Sequence, residues 1–206
     1  MREDLLQIAL STKGFMPEQE GLALYELAST LDPELGPWVE IGAWCGKSTV
    51  YLGAAAQERG TLLFSVDHHR GSEEQQPGWE HHDPEVVDPT TGTIDTLPFW
   101  RATMWRSSLE NSVVGVIGDS AKVASYWQTP LGLLFIDGGH GEAPAFADWN
   151  GWSPKVSRGG MALIHDVFEN PEEGGQVPYR IWAGAVASGE WQACSQTGSL
   201  RALRRL

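Results

Sequence analysis

The feature that most constrains this chain is a series of five short apolar runs separated by stretches with helical periodicity. The runs are PWVEIG (residues 37–42), TLLFSVD (61–67), SVVGVIG (112–118), LGLLFID (131–137) and GGMALIHD (159–166), with segments such as STVYLGAAAQER and AKVASYW between them. Parallel strands cannot be joined by a tight turn, so alternation of this kind demands helical crossovers and an α/β fold with helices on both faces of the sheet. Two helices are expected ahead of the first strand, at residues 3–10 and 17–31, where apolar residues recur at helical spacing and Pro17 suits a first-turn position. After the fifth run a helical YRIWAGAVA leads to WQACSQ and LRALRRL, spaced as a terminal antiparallel pair. With 206 residues, 41% of them apolar, the chain can bury the core of one domain, residues 1–206, in which 1–33 form the N-terminal helices.

One segment does not fit the alternation. Residues 68–93, HHRGSEEQQPGWEHHDPEVVDPTTGT, are long and polar and directly follow the second strand. A stretch of this kind inside a compact domain is usually functional or disordered. It falls at the carboxyl edge, where open α/β sheets bind ligands, and is read as a lid insertion. Its four imidazoles, His68, His69, His81 and His82, are a weak candidate for metal binding and are more simply read as solvated.

Charge and cysteine content narrow the partners. Fourteen basic against 27 acidic residues give a net charge of −13, which repels phosphate backbones and argues against nucleic acid. Two cysteines, Cys45 and Cys194, make no disulfide framework and suit a reducing cytoplasm. The opening MREDLLQIALSTKG is neither a signal peptide nor a membrane span, so a soluble, unexported protein with no membrane partner is expected. A homodimer is compatible with all of this.

The loop EIGAWCGKS (residues 40–48) looks at first like a P-loop, but only three residues separate Gly42 from Gly46, one too few to wrap a phosphate. The glycines let the backbone pass close to a ligand. The helix that follows offers N–H groups, with the Ser48 hydroxyl, to a carboxylate, and Glu40 can serve an amine. An amino-acid moiety fits this loop better than a pyrophosphate. Asp67, at the tip of the second strand, can accept from both hydroxyls of a ribose, and Gly118-Asp119-Ser120 can receive an adenine edge.

Taken together, E-x-G-x-x-x-G, the Asp67 strand end and the GDS turn resemble the class I S-adenosylmethionine-dependent methyltransferases, from about residue 15 onward. EIGAWCGKS is especially similar to the loop of the catechol O-methyltransferase group. The resemblance implies a Rossmann-like, mostly parallel seven-stranded sheet with an antiparallel terminal strand. It also implies that Glu40, Gly42, Trp44 and Ser48 hold the methionine part of S-adenosylmethionine, Asp67 the ribose, and Asp119 with Ser120 the adenine, and His68 is a further cofactor-binding candidate.

The fourth and fifth strands end in FIDGGH and LIHD, which bring Asp137, His140, His165 and Asp166 to neighbouring strand tips about 5 Å apart, beside the cofactor. The D-x-x-H spacing resembles the metal-dependent branch that includes antibiotic-sugar and mycobacterial methylmannose polysaccharide O-methyltransferases. In that branch the histidine, here His140, is the general base, and Asp137, His165 and Asp166 are the implied ligands of a divalent metal, Mg²⁺. A cation stabilises the developing alkoxide of a weakly acidic hydroxyl while a neutral imidazole takes its proton. His165 stands where the catechol group has an acid; since Mg²⁺ prefers oxygen and imidazole suits transition metals, either the ion is not Mg²⁺ or His165 is a weak or outer ligand, and Mg²⁺ is the ion that the resemblance favours. The acceptor is expected to be a small-molecule hydroxyl, more a saccharide than a phenol, with Trp79, Trp100 and Trp105 as candidates to stack on a sugar face, and with Tyr179 and Trp182 lining either the acceptor pocket or only their own helix. An NAD-dependent oxidoreductase shares the fold but would need the absent G-x-G-x-x-G, and a non-catalytic S-adenosylmethionine-binding protein is the third reading.

Overall fold

The computed structural model describes residues 1–79, 81–139 and 141–206. Helices α1 (Glu3–Ser11) and α2 (Glu18–Ser29) precede β1 (Trp38–Ile41), close to the bounds expected from their periodicity. There follow α3 (Lys47–Arg59), β2 (Leu63–Asp67), α4 (Leu97–Ser107), β3 (Val113–Ile117), α5 (Ser120–Tyr126), β4 (Leu131–Ile136), α6 (Glu142–Trp152), β5 (Val156–Ile164), α7 (Val177–Ala187), β6 (Trp191–Thr197) and β7 (Leu200–Arg205). Helices α4 and α6 were not singled out by the sequence: α4 interleaves aromatic, polar and charged residues with few aliphatic ones, and α6 contains Pro144 and Gly151.

The seven strands form one sheet in the order β3-β2-β1-β4-β5-β7-β6. β1 to β5 pair in parallel, while β7 inserts antiparallel between β5 and β6. The sheet is therefore mostly parallel with an antiparallel terminal strand, as the strand signals implied. Alternation along the strands sends successive side chains to opposite faces. Trp38, Leu133, Phe135 and Leu163 pack with α1 to α4, whereas Val39, Ile41, Leu134 and Ile164 pack with Trp152, Ile181 and Trp191. Glu40 falls in register with Trp38 and so enters the layer under α3. Strand order reverses between β1 and β4, and their carboxyl tips open the crevice in which sheets of this kind bind ligands.

Residues 68–93 form 3₁₀ turns at Glu73–Gln75 and Pro84–Val86, and Val87 bridges Ile94. Val86 and Ile94 bury against Cys45, and Lys13 ion-pairs with Asp83 at 2.7 Å and with Glu85. The insertion is thus pinned to the body at its far end, while its near half, from His68 to His81, faces the crevice. Among the described residues no helix is long and apolar enough to cross a membrane.

Candidate active site

The glycine loop is shaped by two backbone requirements. Gly42 has φ +84°, and a Cβ there would collide with the carbonyl of Asp137, so the turn after β1 touches the tip of β4. Gly46, at φ +93°, caps α3. Trp44 also takes a left-handed conformation, φ 48°. Asp67 holds this turn from β2: its Oδ2 accepts from the N–H groups of Ala43 (2.8 Å) and Trp44 (2.9 Å), and its Oδ1 from that of His69 (2.7 Å).

Glu40 and Ser48 lie behind the loop. Glu40 is fully buried, and its carboxylate accepts from the hydroxyls of Ser48 (2.6 Å), Thr49 (2.6 Å) and Ser65 (2.7 Å). Burial pushes its pKa up to about 7 against the opposing pull of those three hydroxyls. Strand alternation turns Glu40 beneath α3, where it engages the Ser48 hydroxyl, and neither residue lines the cavity in front of the loop.

In front of the loop lies a cavity of about 980 Å³. Gly42, Trp44, Asp67, His68, Asp119 and Ser120 line one part of its wall, and Asp137, His165 and Asp166 line another. His140 lies outside the described residues. Asp119 caps α5, accepting from the Lys122 N–H at 2.8 Å, and Ser120 donates to Asp148 of α6. Asp148 was not foreseen, since a lone acid in a helix gives no signal. It is 6% exposed, lines the cavity, and is pushed up to about 6 by burial.

Asp137, His165 and Asp166 offer ligand atoms that all lie within 4.8 Å of one another, forming the one such group found among the described residues. His165 Nδ1 stands 2.9 Å from Asp137 Oδ1 and 3.4 Å from Asp166 Oδ2. Asp166 reaches this place with φ 54°, a strained conformation for a non-glycine residue of the kind that gathers at functional sites. Burial opposes a charge on His165, but the field of Asp137 and hydrogen bonds to Asp137, Asp166 and Glu20 outweigh it and hold the ring protonated well above the usual histidine range. Two carboxylates and one imidazole nitrogen suit a divalent cation, whose binding displaces a proton from its nitrogen ligand. Glu20, from α2, was also not foreseen; it sits 145 residues away in sequence and bonds His165 Nε2 at 2.5 Å.

The remaining imidazoles and aromatics divide sharply. His69 is buried against Thr96 (2.8 Å), and His82 bonds the Gln75 carbonyl (3.0 Å). Trp79 and Phe15, 53% and 59% exposed, line the cavity mouth, with the Phe15 ring tilted against those of Trp44 and His81. Trp100 instead packs in the core, and Trp105 faces outward away from the cavity; Tyr179 and Trp182 pair with each other on α7 and do not line it either. Among Trp79, Trp100, Trp105, Tyr179 and Trp182, Trp79 alone lines the cavity.

The profile of a methyltransferase-domain family matches residues 39–167, from the middle of β1 to just past the strand-tip cluster. The chain belongs to this methyltransferase family. Solved structures agree on the fold. The SAH-bound methyltransferase PaMTH1 of Podospora anserina superposes with a TM-score of 0.69 at 12% identity, over 100% of this chain and 89% of that one. Cofactor-bound Rv0187 from MTB gives 0.67 at 16%, over 98% and 85%, and the O-methyltransferase NovP gives 0.65 at 15%, over 91% and 80%. The matched stretch contains every residue of this methyltransferase expected from the sequence to hold cofactor or metal or to act as base, whereas Glu20 lies before it.

Proposed function

We propose that this methyltransferase moves the methyl group of S-adenosylmethionine to a hydroxyl of a small neutral acceptor, a saccharide or glycoside, with a divalent cation, Mg²⁺, at the tips of β4 and β5. The observation that carries the reading is the convergence of Asp67, Asp119, Ser120, Asp137, His165 and Asp166 on one cavity. Asp67 faces the ribose, its charge shared with the loop it pins. Asp119 and Ser120, with Asp148 behind them, face the adenine, and Trp44 the methionine part. Glu40 and Ser48 support the loop. Asp137, His165 and Asp166 would hold the cation. S-adenosylmethionine supplies a methyl carbon activated by sulfonium charge, and the cation supplies positive charge to the acceptor oxygen. As the C–O bond forms and the C–S bond breaks, His140 takes the hydroxyl proton, a contribution worth typically ~10²–10⁴ in rate.

Charge supports a neutral acceptor. Among the described residues the cavity wall carries eight carboxylates and no lysine or arginine. The nearby cations are engaged elsewhere, Lys13 with Asp83 and Arg70 with Asp95. A phosphate or other anionic group on the acceptor would meet an opposing field. Trp79 and Phe15 offer apolar faces to a sugar ring at the cavity mouth. Two free cysteines fit work in the cytoplasm.

The test is transfer of label from S-adenosylmethionine to a panel of neutral glycosides and their phosphorylated counterparts, with and without chelator. Transfer to a neutral glycoside that falls on chelation and returns with Mg²⁺ is the expected result. His140→Ala should lower kcat by roughly 10²–10⁴ while leaving cofactor affinity nearly intact. Full activity after exhaustive chelation refutes the cation, and near-normal turnover of His140→Ala moves the base to another residue.

A further inference from the structure

The strand-tip cluster has a support that reaches it from both ends of the chain. Glu20, in the first turns of α2, is 5% exposed and directs Oε2 to His165 Nε2 at 2.5 Å. Its other contacts come from the hairpin between β6 and β7. The Ser199 N–H donates to Glu20 Oε1 at 2.8 Å, and the Ser199 hydroxyl lies 3.1 Å from Oε2. Gly198, at φ +53°, leaves room that a Cβ would fill, because any side chain there would strike the Glu20 carboxylate. Neither Glu20 nor Ser199 lies within the family-matched residues 39–167.

A buried carboxylate is costly unless its charge is paired and its lone pairs satisfied. Here the satisfaction is directional. Backbone and hydroxyl donors of the hairpin fix the Glu20 carboxylate, and its remaining direction is spent on one nitrogen of one ring. The two nitrogens of an imidazole are not equivalent, and the bond made by one decides what the other can do. With Nε2–H given to Glu20, Nδ1 is turned toward Asp137 (2.9 Å) and Asp166 (3.4 Å), where a cation held between the two acids would take the place of the Nδ1 proton. Carboxylates that hold a metal-ligating histidine from behind in this way orient the ring and raise its basicity as a ligand.

We infer that Glu20, held by the Gly198-Ser199 turn, is a positioning residue that fixes the His165 tautomer so that Nδ1 completes the cation site with Asp137 and Asp166. The inference rests on the cation reading proposed above. It explains why a histidine can stand where oxygen ligands are usual: the ring is presented with a charged partner behind it.

The test uses the whole chain and Mn²⁺ as the probe. Calorimetric titration should show Glu20→Gln binding Mn²⁺ 10–100-fold more weakly than the wild type, the usual loss when such a partner is removed. Its affinity for S-adenosylhomocysteine should be unchanged, since Glu20 is not on the cavity wall, and a local folding defect would lower both. Glu20→Asp, which keeps the charge, should recover part of the Mn²⁺ affinity. In wild-type protein labelled with ¹⁵N-histidine, Cd²⁺ should perturb Nδ1 of His165 while Nε2 stays protonated, a measurement that needs no variant to fold. Equal Mn²⁺ affinity of Glu20→Gln and wild type, or Cd²⁺ on Nε2, overturns the inference while leaving the cation reading in place. Wild-type protein that binds neither ion refutes both.

Discussion

Two acids, Glu40 and Asp67, show how burial decides what a carboxylate does. Asp67 is tied by three backbone N–H groups yet remains on the cavity wall, so one side chain serves both loop and ligand. Asp67→Asn keeps its shape and removes the charge, and should weaken S-adenosylhomocysteine binding by about 1.5–3 kcal/mol in a calorimetric titration. Unchanged affinity would remove Asp67 from the ribose role. Glu40 is the opposite case, hidden and raised to about 7 from 4.5. Its folded form binds the proton more tightly than the unfolded chain does. The stability this contributes is complete below pH 4.5 and is lost as pH rises through about 7, on the order of 3 kcal/mol in all. Glu40→Gln should abolish that part of the pH dependence, so the difference in urea midpoint between variant and wild type should grow in the variant's favour from pH 5 to 7.5. A constant difference would mean that Glu40 is ionised throughout.

Among the elements, the β1–α3 turn and the insertion after β2 carry the most consequence. Gly42 lets the turn rest on the Asp137 carbonyl, and thereby sets the glycine loop against the strand-tip cluster. Gly42→Ala combines a strained φ with a backbone collision and should cost at least ~1–3 kcal/mol in chemical denaturation, with a loss of cofactor affinity. The insertion has one anchored and one cavity-facing half, as a lid hinged at its far end would. Hydrogen exchange should be fast across residues 68–81 in the free protein and slow once cofactor and acceptor are bound. Equal high protection in both states would make the segment a fixed wall. Lys13→Ala removes the anchor to Asp83 and Glu85, and should raise acceptor KM more than it changes cofactor affinity.

For the whole molecule, ligand binding and stability are linked. S-adenosylhomocysteine at a hundred times its Kd should add about 2.7 kcal/mol to the folded state. For a chain of this size that is a rise of roughly 5–10 °C in Tm, and NAD at the same concentration should give none. The sequence by itself determined the sheet, because alternation of apolar runs with helical stretches leaves a parallel α/β arrangement as the way to bury both strand faces. It also marked the strand tips, where EIGAWCG, Asp67, GDS, FIDGGH and LIHD each end an element, and topology brings such ends to one edge. What it did not determine depends on direction and on distance along the chain. Whether Glu40 meets a ligand or three hydroxyls follows from which face β1 turns toward α3. Which tryptophan faces the cavity follows from placement: α4 turns Trp100 into the core and Trp105 to solvent, while Trp79 lies in the insertion over the crevice. Glu20, Asp148 and Ser199 give no local signal, being ordinary residues in a helix or a turn. Only the packing of α2, α6 and the last hairpin against the sheet brings Glu20 to His165, Asp148 to Ser120 and Ser199 to Glu20, because hydrogen bonds between residues far apart in sequence exist only once the layers have closed.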